Sequence, residues 1–419
     1  MTGSPLGYGI DFGTSNSLIS VAWPEEVNVI DVGSRRVPEN LPSVVYLHKD
    51  GNRAAGDPAI EQFLVSAGVD SRLLVGLKND LSDPSLSGTS SWGRFYRLEA
   101  LIGVVLGRLK AAADAHVGTK VDRVVLGHPV AFVGTEGEDY EELQATAMRR
   151  LIGGAEAAGF TDIETLEEPA AAVQEDETPE GIVVSVDFGG GTFDVAVVEY
   201  SPEDAEVTAL QGAAIGGQHF DQLLFNAKVA PDLGLKDVYV DNEGTEWRLP
   251  ARFAARSRSM LDIRGLMNEP RVPEILSRFK SYAGGSRLGR FERLLFGGFA
   301  FHFYEAIEQA KIDLSQRDEA RIEFHRPGFD VDVPVSRKEF ESLIEPGLVV
   351  IGGAIDKAMA QAGASHDDVV KVVRTGGSSS IPAFVELLAE RFGQSKLQAA
   401  PPYTAVVRGL GCYAQGVWG

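Results

Sequence analysis

The chain has 419 residues, of which 44% are hydrophobic and 24% are charged, in the proportions of a folded globular protein rather than a disordered or collagen-like one. Its 60 acidic residues outnumber its 39 basic ones and give a formal net charge of −21, a field that repels nucleic acid and anionic lipid. At about 150 residues per domain, the length of this chain predicts two or three domains.

A hairpin signal near the N-terminus consists of two apolar runs around a turn at residues 13–16. A similar hairpin returns much later, around a turn at 189–192. An aspartate stands just before each turn, Asp11 in the first copy and Asp187 in the second. The period is far too long for a solenoid, so this internal repeat predicts two similar domains in tandem, each opening with the same hairpin.

Alternating helix and strand signals fill the rest of the chain. Helices are predicted at 98–115, 140–159, 299–314, 336–361, 383–392 and 404–415, and buried strands at 121–126 and 369–373. Pro169 marks a further helix start, with Glu168 at the corner between strand and helix. This alternation predicts α/β layers built on sheets.

Three Gly-rich turns, at 13–16, 189–192 and 376–378, each follow a strand signal. Glycine lets backbone approach an anion closely, and successive N–H groups in such turns form an anion-binding nest. Two facing hairpins therefore predict a polyphosphate clamp, and the paired aspartates Asp11 and Asp187 suit a hydrated magnesium ion. For any one turn the alternative is structural, with its aspartate forming an Asx-turn.

A stretch from Arg248 to Arg293 is rich in arginine and otherwise weakly patterned. Such charges usually form a solvated face, and that is the favoured interpretation. The alternative is a docking surface for an acidic partner or for another part of the chain.

Six motifs carry a resemblance to a known family. They are IDFGTSNS at 10–17, EPAAA at 168–172, VDFGGGTFD at 186–194, GGQHFD at 216–221, EQAK with LS at 308–311 and 314–315, and GGS with IP at 376–378 and 381–382. In order and spacing they resemble the ATPase domain of the DnaK-type heat-shock chaperones, the heat shock protein 70 family. Residues 230–296 are the poorly matching stretch.

The resemblance implies an α/β, actin-like ATPase fold, shared with actin and sugar kinases, in which two duplicated lobes enclose a nucleotide cleft. The first lobe would span 1–180, with 38–98 as its outer subdomain and 400–419 closing it. The second would span 181–399, with 223–340 as an enlarged outer subdomain.

The resemblance also implies the site residues. Asp11 and Asp187 would hold magnesium, and the catalytic residues would be Lys78, Glu168, Asp187 and Thr192. Lys78 is the best candidate for the family's water-positioning lysine, with a solvated surface lysine as the alternative. ATP or ADP would be bound by Thr14, Ser15, Asn16, Gly189, Gly190, Gly191, Thr192, Gly216, Gly217, Glu308, Lys311, Ser315, Gly376, Gly377 and Ser378.

Some positions depart from the family pattern. The two arginines that sandwich adenine in the family fall at Ile312 and Ser380, and His219 replaces an acid. An aspartate near the last phosphate-side segment aligns with Tyr403. These departures leave the phosphate half intact, and we expect weaker ATP binding and a smaller gap between ATP and GTP.

The function that the resemblance implies is slow ATP hydrolysis by a chaperone-related nucleotide switch, similar to the short YegD-like members without a peptide-binding domain. A small-molecule kinase of the same superfamily and a non-catalytic actin-like scaffold are the alternatives. We expect nucleotide and a protein client or partner, but neither nucleic acid nor membrane. One cysteine, Cys412, and the lack of a secretory signal favour a cytoplasmic location.

Overall fold

The computed structural model describes residues 3–34, 37–65, 70–133, 140–172, 180–201, 205–267, 269–399 and 404–419. Tyr403 and the start of the predicted closing segment at 400–403 lie outside the described residues.

Strands occur throughout the chain. They are β1 (Gly7–Phe12), β2 (Asn16–Ala22), β3 (Val27–Val29), β4 (Leu41–Pro42), β5 (Val45–His48), β6 (Arg53–Ala55), β7 (Ser71–Leu74), β8 (Gly88–Ser91), β9 (Arg94–Arg97), β10 (Arg123–His128), β11 (Asp162–Glu167), β12 (Gly181–Phe188), β13 (Phe193–Tyr200), β14 (Ala205–Ala213), β15 (Val238–Val240), β16 (Glu246–Arg248), β17 (Glu319–Arg326), β18 (Phe329–Ser336), β19 (Val369–Thr375) and β20 (Leu397–Ala399).

Helices alternate with these strands. They are α1 (Asp57–Val65), α2 (Leu98–Val117), α3 (Tyr140–Ala157), α4 (Glu168–Ala171), α5 (Gly217–Leu224), α6 (Ala230–Asp232), α7 (Arg252–Ala255), α8 (Met260–Met267), α9 (Val272–Lys280), α10 (Leu288–Phe296), α11 (Ala300–Gln316), α12 (Arg337–Gln361), α13 (Pro382–Phe392) and α14 (Ala405–Trp418). A π turn at Phe225–Val229 continues α5, and a short 3-10 turn at Gly377–Ser380 follows β19. The helices and strands predicted from sequence are confirmed, with ends that move by a few residues.

Two sheets share one topology. The first has the order β3-β2-β1-β10-β11, with β4 also paired to β2, and the second has the order β14-β13-β12-β19-β20. In each, a central antiparallel hairpin (β1–β2 or β12–β13) is joined by parallel strands on one side and by an antiparallel strand on the other. The predicted α/β class and the duplication are therefore confirmed.

The central strands are buried on both faces, which explains their nearly continuous apolar sequences. Ile10 and Phe12 of β1 and Val186 and Phe188 of β12 are almost completely inaccessible to solvent. β-Branched and aromatic side chains also favour the extended backbone. The packing of β1 and β12 therefore fixes the position of the residues at the turn that follows each strand.

Contacts divide the chain into two compact units. The first comprises residues 1–217, 349–380 and 384–419, and the second comprises 218–348 and 381–383. Both large sheets fall in the first unit, so the predicted lobe boundary at 180 stays a prediction. In the second unit, α11 packs on the hairpin β17–β18 through edge-to-face contacts of Phe303 with Phe324 and Phe329.

The Arg-rich stretch lies in the second unit, where carboxylates neutralise several of its side chains. The pairs include Arg256 with Glu269, Arg258 with Asp262, Lys280 with Glu292, Arg287 with Asp237, and Arg290 with Asp232. These partially exposed, internally paired charges support the interpretation as a solvated face. Within the described parts of the chain, no helix has the length and apolar character needed to cross a membrane.

Candidate functional site

The turns of the two central hairpins lie against each other in the first unit. A Cβ atom on Gly191 would lie 2.8 Å from Thr14 Oγ1, and one on Gly190 would lie 3.0 Å from Ser15 Oγ. Side chains at these glycines would therefore crowd the hydroxyls of Thr14 and Ser15. Asn16 begins β2 directly after the first turn, so the predicted phosphate-binding residues of both hairpins are brought together.

A third backbone segment closes on the second turn. A Cβ atom on Gly216 would lie 2.4 Å from the carbonyl group of Gly190, which is too close for any side chain. The Gly217 N–H donates a hydrogen bond to the Gly189 carbonyl oxygen at 3.0 Å. Gly217 is also the first residue of α5, so the start of this helix lies against the second turn.

The loop after β19 is tied to the same hairpin. Gly376 has φ +82°, and a Cβ atom there would lie 2.4 Å from the Phe188 carbonyl oxygen. The Ser378 hydroxyl donates to the Gly189 carbonyl oxygen at 3.0 Å. Gly377, which lies between Gly376 and Ser378, is the first residue of the short 3-10 turn. The predicted nucleoside-side turn is thus fixed to the phosphate-side turn.

Lys78 and Glu168 form a buried ion pair, although 90 residues separate them in sequence. Lys78 Nζ lies 2.6 Å from Glu168 Oε1, and the two residues are only 8% and 3% exposed. Lys78 lies in a turn after β7, and Glu168 opens α4 at the predicted strand-to-helix corner before Pro169. The alternative of a solvated surface lysine is therefore wrong, and the catalytic role of Lys78 stays a prediction.

Aspartates crowd around this ion pair. Burial raises the pKa of Asp11 to about 8 and that of Asp187 to about 6, and the Glu168 carboxylate adds to both rises. Burial alone would lower the pKa of the Lys78 ammonium, but Glu168 and Asp11 outweigh burial and raise it. The lysine therefore stays charged at neutral pH.

Asp194 completes the cluster and was not assigned a role from sequence. It is fully buried opposite Asp187 in the β12–β13 register. Burial, with Glu168 next, raises its pKa to about 8, while a hydrogen bond from Thr192 opposes the rise. Its Oδ1 atom accepts the Val130 N–H at 3.1 Å, and its buried Oδ2 atom has no hydrogen-bond partner among the described residues.

A sequence signal for Asp194 exists in retrospect. It is the sole acidic residue in the buried portion of β13, and an unpaired acid in a buried strand is costly unless it has a function. In the first hairpin the corresponding position, opposite Asp11, is Leu18. Of the two similar hairpins, the second therefore has an acidic residue at this position and the first has a leucine.

Two neutral residues of the site were also missed. Thr375 donates its hydroxyl to Asp187 Oδ1 at 2.9 Å. Asn79, next to Lys78, accepts a hydrogen bond from the Thr14 hydroxyl at 3.4 Å. Both contacts join residues that are far apart in sequence, so no local pattern announces them.

The predicted ribose and adenine residues Glu308, Lys311 and Ser315 lie on α11 in the second unit. Lys311 is 7% exposed, and its Nζ atom lies 2.9 Å from Asp221 Oδ2. Burial raises the pKa of Asp221 to about 6, Lys311 opposes that rise, and Glu308 adds to it. The Asp221 carboxylate, to which the sequence assigned no role, thus holds Lys311, which was predicted to bind the nucleotide.

The two positions where the family has adenine-stacking arginines are both exposed. Ile312 is 37% exposed on α11, and Ser380 ends the 3-10 turn after β19. Neither side chain offers a guanidinium plane, so the expected relaxed base preference stays a prediction.

The charges of the first-unit cluster fit a bound cation. The Glu168 carboxylate acts electrostatically on Asp11, Asp187 and Asp194, and the Lys78 ammonium acts on the same three aspartates in the opposite sense. Carboxylate oxygens are the ligands that magnesium prefers, and it commonly needs one or two of them together with phosphates. Among the described residues, no three His, Cys, Asp or Glu side chains form a metal-binding group. The assignment of Asp11 and Asp187 to magnesium stays a prediction.

The chain matches the family model described as Hsp70 protein over residues 75–234 and 300–417, which is more than half of its length. The matched segments include Lys78, Glu168, the second hairpin, α11 and the Gly376 loop. The family has the actin-like ATPase fold and binds nucleotide, which agrees with the duplicated sheets and with the expected class of ligand.

The pKa of Asp194 predicts a pH-dependent loss of stability. A pKa raised from 3.8 to about 8 means that the folded state binds the proton more tightly than the unfolded chain. The contribution of Asp194 is therefore most favourable at low pH and is lost as pH rises through this window. Relative to Asp194→Asn, which cannot ionise, the wild type should lose up to ~1 kcal/mol per pH unit between about pH 5 and 7.

Urea unfolding in EDTA at several pH values measures this difference. Glu199→Gln, at an exposed position of the same strand, is the matched control and should follow the wild-type pH dependence. Parallel curves for the wild type and Asp194→Asn would show that Asp194 is ionised without cost in the folded state.

Proposed function

Because the chain belongs to the Hsp70 family, we propose that it binds ADP and ATP together with magnesium and slowly hydrolyses ATP to ADP and phosphate. The observation that carries the proposal is the meeting of two glycine turns beside an acidic cluster around Lys78. The turns suit the phosphates, and the excess of negative charge suits the cation.

Binding of the polyphosphate rests on backbone groups. The turns at 13–16 and 189–192 would offer N–H groups and the hydroxyls of Thr14, Ser15 and Thr192 to the phosphates, and Gly216 and Gly217 would extend the cradle. The net charge of −21 does not forbid this binding, because N–H groups hold phosphate without basic side chains. Asp11 and Asp187 would hold magnesium, which when bound neutralises the phosphate charge.

Hydrolysis in such a site depends mainly on positioning and charge stabilisation. Glu168 holds the Lys78 ammonium at 2.6 Å, so the lysine has a fixed place from which to orient the attacking water. Thr192 follows the second glycine turn and is held by Asp194, which suits a position beside the terminal phosphate. In the second unit, Glu308, Lys311 and Ser315 would contact ribose and adenine.

Binding of MgADP should depend on the absence of a side chain at Gly190. A valine there would approach Ser15 and occupy the cradle, so we expect Gly190→Val to weaken MgADP binding at least tenfold, or by about 1.4 kcal/mol. Isothermal titration calorimetry measures the affinity.

Gly353→Val is the matched control, because a Cβ atom at Gly353 would meet nothing within 4 Å. It lies in α12 and should leave the affinity unchanged. Equal binding by Gly190→Val and Gly353→Val would remove the second turn from the phosphate site.

Turnover should depend on Lys78 more than binding does. A residue that acts on the attacking water stabilises the transition state more than the ground state. We expect Lys78→Ala to lower the rate of phosphate release roughly 10²-fold, the size found for removal of one electrostatic contact, and Thr192→Ala to lower it less. Single-turnover phosphate release with saturating MgATP and without added acceptor measures the rate and separates an ATPase from a small-molecule kinase.

Lys110→Ala controls for the loss of a buried ion pair. Lys110 lies on α2, is 7% exposed, and pairs with Asp114 at 3.0 Å and Asp122 at 3.5 Å, neither of which belongs to the cluster. This variant should lose stability yet keep its turnover. Unchanged turnover in Lys78→Ala would instead exclude Lys78 from the mechanism.

A further inference from the structure

Thr375 is the last residue of β19 and stands beside Asp187 in the parallel register of β12 and β19. It is 1% exposed. Its hydroxyl donates to Asp187 Oδ1 at 2.9 Å, and the Val186 carbonyl oxygen is a second acceptor at 3.3 Å. The Asp187 carboxylate is the nearer acceptor of this buried hydroxyl, so the hydrogen bond holds one carboxylate oxygen.

The residues after Thr375 hold the contact in place. A Cβ atom on Gly376 would lie 2.6 Å from Asp187 Oδ1, so glycine is needed for the carboxylate to keep this position. The Ser378 hydroxyl then bonds to the Gly189 carbonyl oxygen, just beyond Asp187. The end of β19, the loop that follows it and the β12–β13 hairpin are therefore connected to one another around Asp187.

The duplicated sheet provides an internal comparison. Asp11 occupies the position in β1 that Asp187 occupies in β12, and its neighbour on the parallel strand β10 is Gly127. Glycine has no side chain to donate a hydrogen bond. Of the two matched aspartates, only Asp187 thus receives a hydroxyl from its parallel neighbour.

We propose that Thr375 is a positioning residue that orients the Asp187 carboxylate for a divalent cation bound with the nucleotide. With Oδ1 held by the hydroxyl, the carboxylate keeps its second oxygen for the cation or for a water molecule on it. Asp187 is then the pre-oriented ligand and Asp11 the adaptable one. This inference rests on the proposed binding of magnesium nucleotide.

Thr375→Val tests the role, because valine keeps the shape and the strand preference while it removes the hydroxyl. The measurement is calorimetric ADP binding over a series of Mg²⁺ concentrations and in EDTA. Thr375→Val should raise the Mg²⁺ concentration for half-maximal enhancement of ADP binding about tenfold, as for one lost hydrogen bond to a charged group. ADP affinity in EDTA should change little.

Two further variants separate positioning from packing. Thr375→Ser retains a hydroxyl and should restore most of the Mg²⁺ dependence of the wild type. Thr208→Val makes the same substitution on β14 of the same sheet, where the hydroxyl donates to the Val197 carbonyl oxygen at 3.1 Å, and should behave as the wild type.

The outcomes distinguish this inference from the proposed function. If the wild type binds ADP with a clear Mg²⁺ enhancement and Thr375→Val shows the same enhancement, Thr375 has no positioning role while the proposed function stands. An equal loss of ADP affinity with Mg²⁺ and in EDTA would also overturn the inference, since it indicates damage to the loop. A wild type that shows no Mg²⁺-dependent ADP binding would overturn both.

Discussion

The crowding of like charges around one lysine is the constraint on which the rest of this site depends. Glu168 and Asp194 are buried, Asp11 and Asp187 are half-buried, and Lys78 is the cation among them. Two ionised groups about 4 Å apart interact by roughly 4 kcal/mol near a protein surface, so such a cluster is costly unless protons or a cation compensate it. Burial is the larger cause of the raised pKa values of Asp11 and Asp194, and the nearby Glu168 carboxylate adds to both rises.

The rigid sheets make the crowding unavoidable. Asp11 and Asp187 are fixed by strands whose neighbouring residues are buried, and the glycines of the second turn lie close to the side chains of Thr14 and Ser15 in the first. The carboxylates therefore cannot move apart without disrupting the core. A polyphosphate with a divalent cation would suit both the turns and the aspartates. The N–H groups of the turns would bind the polyphosphate, and the aspartates would bind the cation.

Duplication explains the frame of the site, and the differences between the copies explain its chemistry. Both sheets present an aspartate before a turn, yet the second copy adds Asp194 where the first has Leu18, and Thr375 where the first has Gly127. The second sheet thus supplies most of the polar contacts. Lys78 and Glu168 come from outside both hairpins, from the turn after β7 and from the start of α4.

Periodicity and turn residues predicted the hairpins, the long helices and the α/β class, because these follow from local patterns. The Gly-rich turns, the aspartate pair and the corner at Glu168 were predictable for the same reason. Contacts between distant segments were not: the Lys78–Glu168 pair, the Asp187–Thr375 hydrogen bond and the Lys311–Asp221 pair depend on topology. Likewise, Arg287 and Arg290 find Asp237 and Asp232, which lie before the Arg-rich stretch in sequence.

The most direct test of the central claim is thermal unfolding near pH 8 with Mg²⁺ alone, ADP alone and both together. A ligand that binds only the folded state at 100 times its Kd adds about 2.7 kcal/mol. If cation and polyphosphate complete the site jointly, the two together should raise the Tm by clearly more than the sum of the separate shifts. Additive shifts, or a full shift with ADP in EDTA, would contradict the account.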